Sequence, residues 1–281
     1  MLLAILIPAY NERDLLPRLV ARVRATPAPT LPDGTPCRRV LVIVDDGSTD
    51  GTADAVRALG QDDDISSVVH ETNQGKGAAI RTALETARSA AVGDQRGADL
   101  FLIQDADLEY DPADHQAVLQ PILDGKADAV IGSRFLGLSH RVLYYWHAVA
   151  NAQITRLSNM LTNLNLTDIE CCSKAFTREV AAALSIRENR FGIEPEIVAR
   201  LAKMRLPTEP PTDVSGGGAS VEASPASRRA RIYEVAVSYA GRTYEEGKKI
   251  GWRDGVRALW CIAKYNLMGE GTKGQRGKGA E

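Results

Sequence analysis

Residues 40–50 read Val40-Leu-Val-Ile-Val44-Asp-Asp-Gly-Ser-Thr-Asp50, five apolar residues followed at once by two carboxylates, a glycine and two hydroxyls. A strand needs an unbroken apolar run when helices cover both faces of its sheet. The abrupt change at Asp45 marks the strand's carboxyl end, where open α/β sheets gather their ligands. The same rhythm recurs outward: apolar runs at Leu2–Ile7, Ser67–His70 and Leu100–Ile103 alternate with helical patterns at Glu12–Ala25, Thr52–Leu59 and Lys76–Arg88. That order predicts an α/β fold, repeated β-α units around a mostly parallel sheet. The runs end in Pro8-Ala-Tyr-Asn-Glu12, Asp45-Asp-Gly-Ser-Thr-Asp50 and Gln104-Asp-Ala-Asp107, so three polar strand ends should converge on one cleft.

The third of these ends belongs to Phe101-Leu-Ile-Gln-Asp-Ala-Asp-Leu-Glu109. If the extended geometry continued past Gln104, Asp105, Asp107 and Glu109 would share one face of the strand. Three like charges so placed need a cation, and hard oxygen ligands suit Mg²⁺ or Mn²⁺ sharing its coordination with substrate phosphates. A helix N-terminus also attracts acids. Here the helix is expected only after Asp111-Pro112, with Pro in its first turn.

The 281 residues are 44% hydrophobic and 25% charged, an ordinary globular composition able to bury a sizeable core. A net charge of −2 and a pI near 6.1 argue against a nucleic-acid binder working by bulk electrostatics. No apolar stretch reaches the roughly 18 residues of a membrane span, and Met1–Ile7 lacks the basic flank of a signal peptide, so the chain is expected to begin at Met1. Cys37, Cys171, Cys172 and Cys261 show neither zinc spacing nor a disulfide framework, which points to a reducing cytoplasm.

Farther along, Ala129–Ile131 reads as a strand leading into Gly132-Ser-Arg134. Tyr144–Leu164 follows as a long helix, with Tyr145, Val149, Ile154, Leu157, Leu161 and Leu164 as its core stripe. Glu194–Met204 reads as a helix and Ile232–Tyr239 alternates like a strand. The Gly-, Ser- and Pro-rich stretch Pro207–Ala230 reads as a mobile insertion, and the tail after Leu267 as disordered. This divides the chain into a domain over 1–206, an insertion over 207–230, a completing strand and helix over 231–267, and a tail over 268–281. From Arg228 to Leu267 nine Lys and Arg face four acids, a local excess of five positive charges. In Trp252–Tyr265 the stripe Trp252, Val256, Leu259, Trp260 and Ala263 lies beside Arg253, Arg257 and Lys264, as an interfacial helix would place them. Packing on the catalytic domain is the other fate open to that stripe.

Five signatures occur together: Pro8-Ala-Tyr-Asn-Glu12, Val44-Asp-Asp-Gly-Ser-Thr-Asp50, Asn73-Gln-Gly-Lys-Gly77, Asp105-Ala-Asp107 and Gly132-Ser-Arg134. In this order they resemble the inverting family 2 glycosyltransferases of the GT-A fold, especially the dolichol- or polyprenyl-phosphate mannosyl- and glucosyltransferases. The resemblance covers about residues 2–205 and resumes over 231–267. It implies a donor of GDP-mannose or UDP-glucose type, a dolichyl or undecaprenyl phosphate acceptor, and a place in cell-envelope glycan biosynthesis at the inner face of the membrane. It implies further that Pro8, Tyr10 and Glu12 border the nucleoside pocket, that Asp46 reads the base or ribose, and that Lys76 meets a phosphate or a nearby carboxylate. Asn11 and Asp50 are expected to cap the helices that follow them.

Asp105 and Asp107 match the family's metal motif, with Glu109 at a position that carries Gln or Glu. Asp107 is the expected direct ligand, whereas Asp105 holds either the ribose or a metal-bound water. A cation there would stabilise the nucleoside diphosphate that leaves when the anomeric bond breaks. Arg134 matches the position that holds the acceptor phosphate, and Arg141 resembles a second basic position or is a solvated surface charge. An acceptor phosphate is largely dianionic at pH 7, with a second pKa about 6, and needs cations rather than a base.

Asp168-Ile-Glu-Cys-Cys-Ser-Lys-Ala-Phe176 departs from the family's Ser-Gly-Phe pattern. Either Asp168 organises Lys174 and the acceptor loop, or Asp168 or Glu170 is the base toward a hydroxyl acceptor. Glu194 either lines the site and positions an Arg or forms a structural ion pair. A non-catalytic nucleotide-sugar binder is a further reading, opposed by the metal motif and Arg134. A nucleotidyltransferase is opposed by the lack of a Gly-rich basic loop after the first strand.

Overall fold

The computed structural model describes residues 1–89, 97–137, 141, 144–208, 227–242 and 252–268, the last stretch with side chains from 255 onward. In chain order the elements are β1 (Leu2–Ala9), α1 (Leu16–Ala25), β2 (Arg38–Asp45), α2 (Thr52–Leu59), β3 (Ile65–Val69), α3 (Lys76–Arg88), β4 (Leu100–Ile103), α4 (His115–Leu123) and β5 (Ala129–Ser133). They continue with α5 (Tyr145–Thr162), β6 (Lys174–Thr177), α6 (Arg178–Ala183), α7 (Ile193–Lys203), β7 (Arg205–Pro207), β8 (Ser227–Arg229), β9 (Ile232–Ala236) and α8 (Trp252–Leu267).

The main sheet runs β3-β2-β1-β4-β6-β5-β9. All of its pairings are parallel except those of β6, which lies antiparallel between β4 and β5. Successive β1 side chains feed opposite layers: Leu2, Ala4 and Leu6 enter one core, Leu3, Ile5 and Ile7 the other. Val42 and Val44 divide from Leu41 and Ile43 in the same way. This two-sided burial is why the runs are apolar without alternation. Pro8 is tolerated in a central strand because β4 pairs only with Leu3–Leu6, so no neighbour there requires its missing N–H.

Three expectations change. Lys174, grouped with the acceptor loop, opens the strand β6. Ser227–Arg229, placed within the insertion, forms β8 and pairs with β7, while residues 209–226 and the tail from 269 lie outside the described residues. In α5, Ile154, Leu157, Leu161 and Leu164 pack against the core as expected, but Tyr145 is 71% exposed and belongs to no core.

Candidate active site

The carboxyl ends of β1, β2, β4 and β5 open toward one side of the sheet, joined there by the segment after β9. Asp105, Asp107 and Glu109 are not brought together by strand alternation. The chain turns after Ile103 and Leu108 adopts φ +63°, so the extended geometry ends before Asp107. Buried Gln104 braces the turn, donating to the carbonyls of Asp105 (3.2 Å) and Tyr110 (3.3 Å) while its Oε1 meets His115 Nε2 at 2.9 Å. Burial pushes His115 down to about 4, so it stays neutral at physiological pH.

The turn sorts the three acids onto different cations. Asp105 pairs with Lys76 Nζ at 2.9 Å. Asp107 Oδ2 lies 3.1 Å from Arg242 Nη2, and Glu109 Oε1 accepts both the Arg242 backbone N–H (2.9 Å) and its Nε–H (3.3 Å). Arg242 also reaches Glu12 Oε1 at 3.3 Å, which draws the end of β1 into the same cluster. Burial and the charges of Asp105 and Glu109 raise Asp107 to about 7 against the pull of Arg242. The carboxylates thus carry more negative charge than their partners neutralise, and this donor set fits a divalent cation. Among the described residues no three His, Cys, Asp or Glu side chains are gathered as a protein-only metal cage, so the expected triad is not preassembled. Mg²⁺ and Mn²⁺ commonly complete their shells from phosphate and water, which makes two acids sufficient.

Lys76 opens α3, and its ammonium touches Asp105, Cys172 Sγ (2.7 Å) and Glu194 (3.4 Å). Burial alone would lower its pKa; those acids hold it well above its ordinary value. Gly75 and Gly77 let the loop pass close to residues 188–189. Gly75 sits at φ +104°, and a Cβ on Gly77 would stand 2.0 Å from the Glu188 carbonyl oxygen. Asp46 anchors this loop from below, accepting from Asn73 Nδ2 (3.0 Å), Gln74 N–H (3.0 Å) and Gly75 N–H (2.6 Å) and meeting His70 at 2.8 Å. It is 2% exposed with both oxygens engaged, so its expected reading of base or ribose gives way to holding the loop.

Pro8 is buried within β1, whereas Tyr10 at its end is 37% exposed. Asp50 accepts the Thr52 N–H that opens α2, but the N-cap position itself is Gly51 in the left-handed region. Asn11 does not cap α1; its Oδ1 accepts from Thr49 N–H and its own N–H donates to Ser48.

On the acceptor side Arg134 follows β5. Asp168, fully buried, grips one guanidinium edge of it through two parallel bonds, Nε to Oδ2 (2.6 Å) and Nη2 to Oδ1 (2.8 Å), and also accepts its backbone N–H (3.2 Å). Asn151 of α5 braces the pair from Arg134 Nη2 and to Asp168 Oδ1, both at 3.3 Å. Arg134 Nη1 has no hydrogen-bond partner among the described residues. Glu170 lies beside this pair, raised to about 7 by burial and by the charge of Glu194, with its Oε1 buried and unpartnered.

Lys174, expected at the acceptor phosphate, is not exposed to the cleft. Its ammonium is fully buried against Glu194 and the Cys171 carbonyl, and this is also the structural ion pair open for Glu194. Arg141 is exposed, bonded through its backbone to Tyr239 and through Nη1 to the Gly241 carbonyl (3.2 Å), on the rim of a cavity of about 300 Å³ shared with Glu109 and Tyr239.

Three contributors were not singled out in the sequence: Arg242, Tyr239 and Asn151. Arg242 had been counted only as one basic residue of the C-terminal segment. Its signal was position, since it follows the carboxyl end of β9, a strand parallel to β5.

Residues 4–184 match the model of a family described as Glycosyl transferase family 2. Glycosyltransferase AglJ of Haloferax volcanii is 29% identical over 204 residues, 73% of this chain and 59% of that protein. Polyprenol monophosphomannose synthase of Mycolicibacterium smegmatis is 31% identical over 186 residues, 65% of this chain and 64% of its own length. The chain thus spans about three-fifths of these relatives. A crystal structure of glucosyl-3-phosphoglycerate synthase from Mycobacterium tuberculosis, with Mn²⁺, uridine diphosphate and glucosyl-3-phosphoglycerate, superposes with a TM-score of 0.61 at 16% identity. It covers 94% of this chain and 79% of that one, a likeness of fold.

Proposed function

The chain belongs to glycosyl transferase family 2, and on that premise we propose that it moves a hexose, mannose or glucose, from a nucleotide diphosphate sugar to a polyprenyl phosphate with inversion at the anomeric carbon. The observation that carries the reading is Arg134, fixed by Asp168 and Asn151 with Nη1 left over for an anion. A rigid guanidinium suits a phosphate oxygen. Asp168 is committed to that arginine and is poorly placed to remove a proton from a hydroxyl. Relatives that act on lipid phosphates, among them undecaprenyl-phosphate mannosyltransferase of Micrococcus luteus, support the acceptor class. Names of other relatives cite formamido-arabinose, N-acetylglucosamine and galacturonate, so the hexose rests on the sequence resemblance.

In this reading Asp105 and Asp107 would hold Mg²⁺ or Mn²⁺, which would supply positive charge to the departing diphosphate. Lys76 keeps Asp105 ionised, Arg242 holds Asp107 and Glu109 in place, and Glu12 and Tyr10 border the nucleoside. Arg134 orients the acceptor phosphate so that its oxygen attacks the anomeric carbon opposite the leaving group.

A peripheral membrane position accords with the surface. The buried face of α8 is Ala258, Cys261, Ile262 and Tyr265, whereas the predicted stripe faces outward, with Val256 57%, Leu259 41% and Trp260 50% exposed. Tyr145 and Trp146 at the start of α5 are more than 70% exposed. Aromatic rings of this kind suit a membrane–water interface. The basic part of the expectation changes: Arg257 and Lys264 pair with Glu188, while residues 243–251 and the side chains of Trp252 and Arg253 lie outside the described residues. No described helix is long and apolar enough to cross a membrane.

The test is to incubate the protein with radiolabelled GDP-mannose or UDP-glucose, Mn²⁺ and undecaprenyl phosphate. Label is expected in an organic-soluble, mild-acid-labile product. Label appearing only on a soluble hydroxyl acceptor would overturn the reading in favour of Asp168 or Glu170 as base.

A further inference from the structure

Tyr239 lies just beyond β9, next to both halves of the site yet without a role so far. Its ring centroid is 5.2 Å from the Arg134 guanidinium carbon, and its hydroxyl lies 2.8 Å from Glu109 Oε2. Its backbone pairs with Tyr110 in an isolated antiparallel bridge, and the two rings sit 5.3 Å apart, so the phenol is held at ring and backbone alike. Asp168 fixes Arg134 along one guanidinium edge, and an edge alone leaves the plane free to tilt. The Tyr239 face restricts that freedom by cation–π contact, more closely than the Phe135 ring, which lies 5.7 Å from the same carbon. On the opposite side Glu109 already accepts two bonds from Arg242, so the phenol closes a path of contacts from Arg134 through Tyr239 and Glu109 to Arg242 and Asp107.

We propose that Tyr239 is a positioning residue that fixes the acceptor arginine relative to the donor-side carboxylates, its ring serving Arg134 and its hydroxyl serving Glu109. This rests on the reading of Arg134 as the acceptor cation. The two functions separate chemically: Tyr239→Phe keeps the ring and loses the hydroxyl, whereas Tyr239→Leu loses both.

With saturating donor and Mn²⁺ and undecaprenyl phosphate varied, Tyr239→Phe is expected to hold the acceptor KM within about twofold while kcat falls about tenfold, since small misplacements act on the chemical step. Tyr239→Leu should lower kcat similarly and raise the acceptor KM about tenfold, the loss of a desolvated cation–π contact. A residue that merely stabilises the fold would move the melting temperature without this split. An unchanged kcat in Tyr239→Phe, or the same acceptor KM in both variants, overturns the proposal. Should the leucine variant fail to fold, the kcat of the phenylalanine variant decides alone. Arg134→Met, assayed in parallel, separates the premise: if it leaves the acceptor KM unaltered, the acceptor assignment falls and the proposal with it, whereas a raised KM there with none in Tyr239→Leu overturns Tyr239 alone.

Discussion

Replacing Glu170 by glutamine should make the protein more stable at alkaline pH and leave sugar transfer intact. Burial and the neighbouring Glu194 lift the Glu170 carboxyl from its ordinary 4.5 to about 7, and its Oε1 is sealed without a partner. The unfolded chain releases this proton near 4.5, the folded protein only near 7. Between those values the folded state binds more protons, so stability falls as pH rises through the window. At about 1.4 kcal/mol per unit, a gap of roughly two and a half units costs the wild type about 3 kcal/mol by pH 8. Glutamine carries no titrating proton in either state and removes that slope. Urea unfolding at pH 5 and pH 8 should show the variant ahead by up to about 3 kcal/mol at pH 8 and much less at pH 5. A difference that is flat across pH refutes the reasoning. Retained transfer in this variant also argues for a phosphate acceptor, because a hydroxyl acceptor using Glu170 as base would lose it.

Arg134→Lys removes the bidentate grip of Asp168 and should lower kcat/KM for polyprenyl phosphate about 100-fold, roughly 2.7 kcal/mol, with donor binding by calorimetry unchanged. A loss under threefold would move the acceptor elsewhere. Trp260→Glu alters a half-exposed ring and should reduce co-sedimentation with anionic vesicles while leaving the melting temperature within about 2 °C, as expected for a surface change under about 0.5 kcal/mol. Unchanged vesicle binding would remove α8 from the membrane surface. Chelating divalent ions should weaken nucleoside diphosphate binding about 100-fold, and tight binding in EDTA would contradict a metal-bridged donor.

The parallel strands and their polar ends were legible because burial on both sheet faces leaves an unambiguous apolar run. Other features depended on contacts that sequence spacing does not encode. β6 is four residues long and runs antiparallel within a parallel pattern, so Lys174 read as a loop cation when it is a sealed partner of Glu194. Asp107 and Glu109 were placed by strand alternation, yet the left-handed Leu108 turns the chain first. Asp46 matched a ligand-reading motif, but its carboxylate is filled by the Asn73–Gly75 backbone and side chains. The apolar stripe of α8 was correct as a stripe; which side faced the protein depended on Ala258, Cys261 and Ile262, small or slender residues that fit against α5 and α7.

The charge balance of the cleft is the physical ground for proposing a further cation in the donor site. Among the described residues Glu12, Asp105, Asp107, Glu109, Asp168 and Glu194 pair with Lys76, Arg134, Lys174 and Arg242, with Glu170 buried beside them, an excess of acids in a partly buried space. Lys174 is sealed against Glu194 and is not exposed to the cleft. Burial, and after it the neighbouring acids, raise Asp107 and Glu170 to about 7. A nucleoside diphosphate and a lipid phosphate brought into this field would both be repelled. Neutralisation by protons would serve poorly, since protonating Asp107 discards the ligand that the diphosphate's counter-ion requires. In the proposed reading a divalent ion held by Asp105 and Asp107 would relieve the conflict on the donor side, as Arg134 would on the acceptor side, so that the two anions could approach one anomeric carbon from opposite faces.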